Sequence, residues 1–154
     1  MKTMNSTILS QLINLTSQAG EIIMNLRANS ANYSIKTDNT PVTSADKASH
    51  ELIVNTLQKL TPDIPILSEE SSHIPFLTRQ SWNEYWLIDP LDGTRDFIDG
   101  SPDFCISIAL IRDKYPIFGL IYSPFNKTHY YRLENNSSIM LFNKTTFEIL
   151  TTKP

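Results

Sequence analysis

The acidic residues of this chain matter for where they cluster. Two acidic motifs stand at the ends of short apolar runs. Ser68-Glu69-Glu70 follows Ile64–Leu67, and Asp89-Pro90-Leu91-Asp92-Gly93-Thr94 follows Tyr85–Ile88. Carboxylates placed there emerge from a sheet edge rather than drift on a loop. Pro90 fixes its own φ and offers no N–H, which stiffens the turn between the aspartates. Asp89 and Asp92 can then bring both carboxylates to one side, with the Leu91 carbonyl facing the same point. Two carboxylates and a carbonyl are hard oxygen ligands, the set Mg²⁺ takes while keeping several waters. Gly93 lets the backbone approach a ligand. Thr94 stands at the expected start of a helix, where the free amides of Gly93 and Thr94 would receive a phosphate.

Electrostatics argues for the cation. If Glu69, Asp89 and Asp92 converge at about 4 Å, each pair repels by about 4 kcal/mol at an effective dielectric near 20. Three such pairs, roughly 12 kcal/mol, rival the whole stability of a typical domain, about 5–15 kcal/mol. Such a cluster takes up protons or binds a divalent metal.

Other polar residues read less sharply. Asp46, near the start of a helix, reads by itself as a first-turn charge favouring the helix dipole. Lys36 and Arg95 either face a substrate phosphate or are solvated surface charge. His50, His73 and His129 lack ligand spacing and read as structural or solvated. Cys105 lies in an apolar strand and reads as a core residue. Trp82, Tyr85 and Trp86 read as packing residues.

The elements that must position these groups follow from periodicity. From Thr7 to Arg27 the residues Ile8, Leu12, Leu15, Ala19, Ile22, Ile23 and Leu26 recur at helical spacing,. Residues 29–43 are polar and read as a loop or short hairpin. Ser44 is the expected N-cap of a second helix, with Ala48, Leu52, Ile53, Leu57 and Leu60 on its buried face and Thr61-Pro62-Asp63 ending it. Ile64–Leu67 and Tyr85–Ile88 read as short strands, residues 71–84 as a loop, and residues 93–99 as one short helix. Phe104–Ile111, Ile117–Tyr122, Thr128–Leu133 and Ile139–Phe142 form an antiparallel meander separated by turn residues. Thr145–Leu150 offers one more strand. Two helices before a run of strands predict an α+β fold, with the helices packed on one antiparallel sheet.

Composition bounds the rest. The chain has 154 residues, 40% hydrophobic, enough for one domain with its own core,. A net charge of −3 without a basic stripe argues against nucleic acid as a partner,. One cysteine excludes an internal disulfide and fits a reducing compartment,. The N-terminus lacks the apolar run of a signal peptide, and no stretch is long enough to span a bilayer. A cytoplasmic location is expected, with peripheral contact at the inner membrane as the alternative.

Three ordered stretches resemble a known family. They are Lys36-Thr37-Asp38-Asn39-Thr40-Pro41-Val42-Thr43-Ser44-Ala45-Asp46, Leu60-Thr61-Pro62-Asp63-Ile64-Pro65-Ile66-Leu67-Ser68-Glu69-Glu70, and Tyr85-Trp86-Leu87-Ile88-Asp89-Pro90-Leu91-Asp92-Gly93-Thr94-Arg95-Asp96-Phe97-Ile98. Together the chain resembles, from about Ala19 to Tyr131, the inositol monophosphatase superfamily in its CysQ-type 3'(2'),5'-bisphosphate nucleotidase subgroup. The resemblance implies the N-terminal half of the sugar-phosphatase fold and Mg²⁺-dependent hydrolysis of a phosphomonoester, with adenosine 3',5'-bisphosphate giving AMP and phosphate. It implies lithium inhibition as well.

By motif matching, Glu69, Asp89 and the Leu91 carbonyl would hold one metal, and Asp89 and Asp92 a second. Glu70, or Thr94 backed by Asp46, would orient the attacking water. Substrate would be met through Glu69, Leu91 and Asp92 with their metals and through the amides of Gly93 and Thr94. Where the subgroup usually has Lys-Glu after Gly-Thr, this chain has Arg95-Asp96, which keeps the charge signs. The resemblance also implies a C-terminal domain with a Trp-Asp-x-Ala-Ala-like segment, whose aspartate completes the second metal site. Residues 132–154 do not supply it, so residues 1–154 are expected to be a single N-terminal metal-binding domain.

Three functions stay open: a phosphatase whose other half is missing, a catalytically silent metal- and phosphate-binding module, and an inositol monophosphatase-like activity. An apolar face left uncovered would favour self-association or a complementing C-terminal fragment.

Overall fold

The computed structural model describes residues 4–28, 33–35, 41–133, 138–142 and 145–149. Helix α1 spans Ser6–Ala28. Asn5 starts it by accepting a hydrogen bond from the Ile8 amide at 2.9 Å through its side chain,. Its buried stripe of Ile8, Leu12, Leu15, Ala19 and Ile23 is most of the periodic set expected from the sequence, whose other two members, Ile22 and Leu26, are half-buried,. A short hairpin follows, β1 (Tyr33–Ile35) paired antiparallel with β2 (Pro41–Thr43).

Helix α2 runs from Ser44 to Leu60. Its N-cap is Thr43, one residue earlier than expected. The Thr43 hydroxyl accepts from the amides of Ala45 and Asp46, and the Asp46 carboxylate accepts from the Thr43 amide at 2.7 Å. This reciprocal capping box satisfies donors that a lone serine at position 44 would leave open.

The remaining elements are β3 (Ile66–Ser68), α3 (Phe76–Gln80), β4 (Glu84–Asp92), α4 (Thr94–Asp99), β5 (Cys105–Arg112), β6 (Tyr115–Ser123), β7 (Thr128–Leu133), β8 (Ser138–Phe142) and β9 (Thr145–Ile149). The last seven strands form one sheet in sequence order, β3 to β9. All pairs are antiparallel except β3 with β4, which is parallel. A parallel pair needs a crossover connection, and that connection contains α3. Residues 71–84 were expected to be loop. Helix α3 is five residues long and buries none of them, so it leaves no apolar stripe to read.

Helices α1 and α2 pack together on one face of the sheet. Along β4, β5 and β6 the core-facing residues are Trp86, Ile88, Ile106, Ile108, Leu110, Phe118, Leu120 and Tyr122. Trp86 meets Phe118 edge-on and donates from Nε1 to the Thr61 hydroxyl at 2.9 Å. The alternate residues Leu87, Ser107, Ala109, Gly119 and Ile121 lie on the opposite face,. Cys105 belongs to that second set. It is half-buried on the open face rather than a core residue, because Ile106, Ile108 and Leu110 occupy the core-facing parity of β5.

At the C-terminal end of α1, the Arg27 guanidinium lies over the Phe104 ring, 5.0 Å from its centroid, and donates to the Ser101 carbonyl at 2.6 Å. Phe104 in turn meets Phe97 of α4 edge-on. These contacts hold α4 against the body of the protein.

Candidate metal centre

In a regular strand, residues three apart point to opposite faces. Asp89 and Asp92 escape that rule through a bulge. Asp89 pairs with Ser107 and Asp92 with Cys105, so β4 spends one more residue than β5 across this step. The extra residue flips the parity, and both aspartates line the same cleft. Pro90 sits within the bulge, where its missing N–H costs no ladder bond. The amide of Leu91 donates to the Asp89 carboxylate at 3.1 Å, which closes the turn the sequence suggested. The Leu91 side chain is buried.

The parallel register brings in the first acidic motif. Ser68 pairs with Ile88, and the Glu69 amide donates to the Ile88 carbonyl at 3.1 Å. The residue after Ser68 is thereby set beside the residue after Ile88. Glu69, Asp89 and Asp92 share the wall of one open cleft of about 810 Å³. Burial, then the Glu69 charge, then the Asp92 charge push the Asp89 carboxyl up from 3.8 to about 7, and a hydrogen bond shared with Glu69 adds to the effect. A carboxylate cluster is relieved by a proton or by a cation, and the raised Asp89 carboxyl is the group on which the two would compete,. The three groups share a field and a cavity without forming a closed shell. Among the described residues, no three His, Cys, Asp or Glu side chains are gathered as a complete ligating cluster. The donors remain hard oxygens on one side of a solvent-open cleft, which fits a cation that keeps several waters.

Thr94 and Asp46 come together as the motifs suggested. The Thr94 hydroxyl lies 2.9 Å from one Asp46 oxygen and 3.1 Å from the Leu91 carbonyl. The other Asp46 oxygen takes the Thr43 amide at 2.7 Å and the Thr43 hydroxyl. Asp46 is only 2% exposed, so a first-turn charge and an orienting partner for Thr94 are the same side chain. Gly93 is the N-cap of α4 with φ 86°. A Cβ there would stand 2.7 Å from the Asp103 carbonyl. The glycine is therefore required by backbone handedness and by its neighbour. Gly93 lines a second cavity of about 360 Å³, which adjoins the main cleft through Asp92.

The remaining candidates are placed differently. Glu70 follows in the turn after β3, half-buried, and is not among the residues lining the main cleft. Arg95 is exposed, as is His73, and Lys36 lies outside the described residues. His129 is structural: it is 5% exposed, 3.1 Å from the Thr16 hydroxyl and stacked on Tyr122. Burial lowers its pKa to about 4. Sequence reasoning missed Ser107, Tyr130 and Arg132, which line the main cleft. Their signal was weak, because which parity of β5 and β7 faces the carboxylates is fixed only by cross-strand register.

The cleft continues over the open sheet face, where Leu87, Ile121 and Tyr130 are 42%, 47% and 41% exposed. Among the described residues, no helix is long and apolar enough to cross a membrane.

The profile of the inositol monophosphatase family matches residues 4–148. The 3'(2'),5'-bisphosphate nucleotidase CysQ of Aggregatibacter actinomycetemcomitans is 41% identical over 134 residues, covering 87% of this chain and 50% of that relative. The crystal structure of CysQ from Bacteroides thetaiotaomicron, described as a bacterial member of the inositol monophosphatase family, superposes with a TM-score of 0.71. It is 31% identical, and the match covers 91% of this chain and 51% of that one. An IMPase/NADP phosphatase solved in complex with Mg²⁺ and phosphate shares the fold, with a TM-score of 0.76 at 22% identity over 87% of this chain and 50% of that one. The chain spans about half the length of the curated relatives it matches.

Proposed function

Because the chain belongs to the inositol monophosphatase family, we propose that it forms the cation-binding half of a Mg²⁺-dependent phosphomonoesterase whose substrate is a 3'(2'),5'-bisphosphate nucleotide. The observation that carries this reading is the meeting of Glu69, Asp89 and Asp92 in one cleft, with the Asp89 carboxyl pushed up to about 7. The nucleotidase names of relatives at about 40% identity favour a nucleotide over an inositol phosphate.

In this proposal Glu69, Asp89 and the Leu91 carbonyl hold one Mg²⁺, and Asp89 with Asp92 holds another. When bound, the cations neutralise the carboxylates and the phosphate oxygens and favour an attacking hydroxide over neutral water. The protein otherwise positions groups, as phosphoryl transfer requires. The amides of Gly93 and Thr94 receive the phosphate, and Glu69, Leu91 and Asp92 meet it through the metal sites. The Thr94 hydroxyl donates to Asp46, which leaves its lone pairs to accept a hydrogen bond from the attacking water and so orient it. Asp46, held by Thr43 on its other oxygen, keeps that hydroxyl aimed. Glu70 is the alternative water-orienting group. Water oxygen attacks phosphorus and the ester P–O bond breaks; one proton of that water ends on the departing nucleoside oxygen and the other stays on the phosphate product.

A second reading is a module that binds Mg²⁺ and phosphate without turnover. Phosphate release from adenosine 3',5'-bisphosphate with Mg²⁺, set against inositol 1-phosphate, separates the readings. Release from the nucleotide supports the nucleotidase. Release from inositol 1-phosphate alone supports the inositol phosphatase. No release with Mg²⁺ binding intact supports the silent module. Asp89→Asn should weaken Mg²⁺ binding strongly, and unchanged calorimetric affinity in that variant defeats the ligand assignment.

A further inference from the structure

Helix α2 touches both acidic motifs, and it does so from consecutive residues. Ser49 is fully buried, and its hydroxyl donates to the Pro90 carbonyl at 2.8 Å. That carbonyl lies inside the β4 bulge, between the paired residues Asp89 and Asp92, so Ser49 ties the helix to the irregular step of the strand. His50, the next residue, has Nδ1 2.8 Å from the Ser68 hydroxyl. Ser68 is 4% exposed and directly precedes Glu69. One turn earlier, Asp46 holds Thr94. Three contacts from a single helix face thus fasten the segment before Glu69, the turn between Asp89 and Asp92, and the hydroxyl after Gly93.

We infer that Ser49 and His50 are positioning residues that set the distance between the Glu69 carboxylate and the Asp89–Asp92 pair. The inference rests on the metal-site reading above. The physical case is one of spacing. Glu69 directly follows β3 and Asp89 lies in β4, two strands joined by a long crossover, and their charges repel. Three-residue β3 gives its end little ladder support. A helix bonded to both segments opposes their separation and adds to the Glu69 amide–Ile88 carbonyl bond that joins them directly. Hydrogen bonds made directly to metal ligands change metal affinity by about 10–100-fold when removed; these bonds act on the residues next to the ligands, so the lower end of that range is expected.

The test measures Mg²⁺ binding to the whole chain by calorimetry, beside the melting temperature of each variant. Ser49→Ala removes the hydroxyl, His50→Leu removes the ring nitrogen, and His50→Asn restores a polar atom near the Nδ1 position. The expected result is a Kd weakened about tenfold or more in Ser49→Ala and in His50→Leu, with His50→Asn recovering most of the loss. A purely structural role would lower the melting temperature and leave the Kd of the folded fraction unchanged. That outcome, with Asp89→Asn losing Mg²⁺ as expected, overturns the positioning role and leaves the metal site standing. Should Asp89→Asn itself bind Mg²⁺ normally, the metal reading fails and this inference with it. If Ser49→Ala does not fold, the half-buried His50 pair decides the matter alone.

Discussion

The Asp89 proton makes Mg²⁺ binding depend on pH in a calculable way. A cation can occupy the cleft only after this carboxyl ionises, and its pKa stands at about 7. At pH 6 about a tenth of the carboxyls are ionised, and at pH 8 about nine-tenths, so the apparent Mg²⁺ affinity should rise about tenfold between them, or about 1.4 kcal/mol. The sign for the metal-free chain is opposite. A carboxyl whose folded value is raised stabilises the fold below its ordinary range near 4, and this contribution is lost as pH climbs through about 7. Mg²⁺ reverses that loss by holding the ionised form, so its stabilising shift in melting temperature should be larger at pH 8 than at pH 6. Calorimetry at both pH values, in two buffers of different ionisation heat, gives the Kd and counts the protons released. Close to one proton should leave per chain at pH 6. Equal affinities at pH 6 and 8, with no proton release, refute the argument that these carboxylates compete between proton and metal.

The buried His129 gives a second pH dependence of the opposite direction. Its pKa is lowered to about 4 by burial, so the unfolded chain takes up a proton near 6.5 before the folded one does. Stability is full above about 6.5 and falls toward 4, losing about 2 kcal/mol by pH 5. Urea midpoints at pH 7 and pH 5, taken as the difference between the wild type and His129→Gln so that the opposing Asp89 contribution cancels, measure the loss,. The open sheet face supplies a third prediction. With Leu87, Ile121 and Tyr130 exposed there, the chain should self-associate as its concentration rises, and Ile121→Lys should reduce the association seen by sedimentation. A monodisperse wild-type monomer at high concentration refutes it.

How much of this was legible in the sequence depends on the range of the interaction. Stripes such as Leu12, Leu15, Ala19 and Ile23 are local patterns, so α1 reads directly. Alternation in Ile106, Ile108 and Leu110 identifies β5 as a strand. It does not say which parity faces the helices, and that is why Cys105 was read as core and lies on the open face instead. The N-cap shifted to Thr43 for a reason that was present in the chain. Thr43 and Asp46 have capping-box spacing, but Ser44 is an equally ordinary cap when judged by residue type alone. Helix α3 carries no buried residue and left no periodic trace.

The site was half legible for the same reason. Its residue types and its two strand-end positions are local facts. Its convergence is not, because it needs two long-range events. The bulge that puts Asp89 and Asp92 on one face exists only relative to β5, where Ser107 and Cys105 set the count. The nearness of Glu69 to Asp89 exists only because β3 runs parallel to β4 with Ser68 opposite Ile88. Neither can be read from a three-residue strand or from a proline-containing turn alone. Both are held by bonds from α2, an element that as a sequence reads simply as an amphipathic helix. A chain can therefore display its metal-binding donors openly while the residues that decide their spacing, Ser49 and His50, pass as ordinary helix surface and core. Such sites are decided, at each helix beside an acidic turn, by which of its small polar residues face a carbonyl within a break in the strand register.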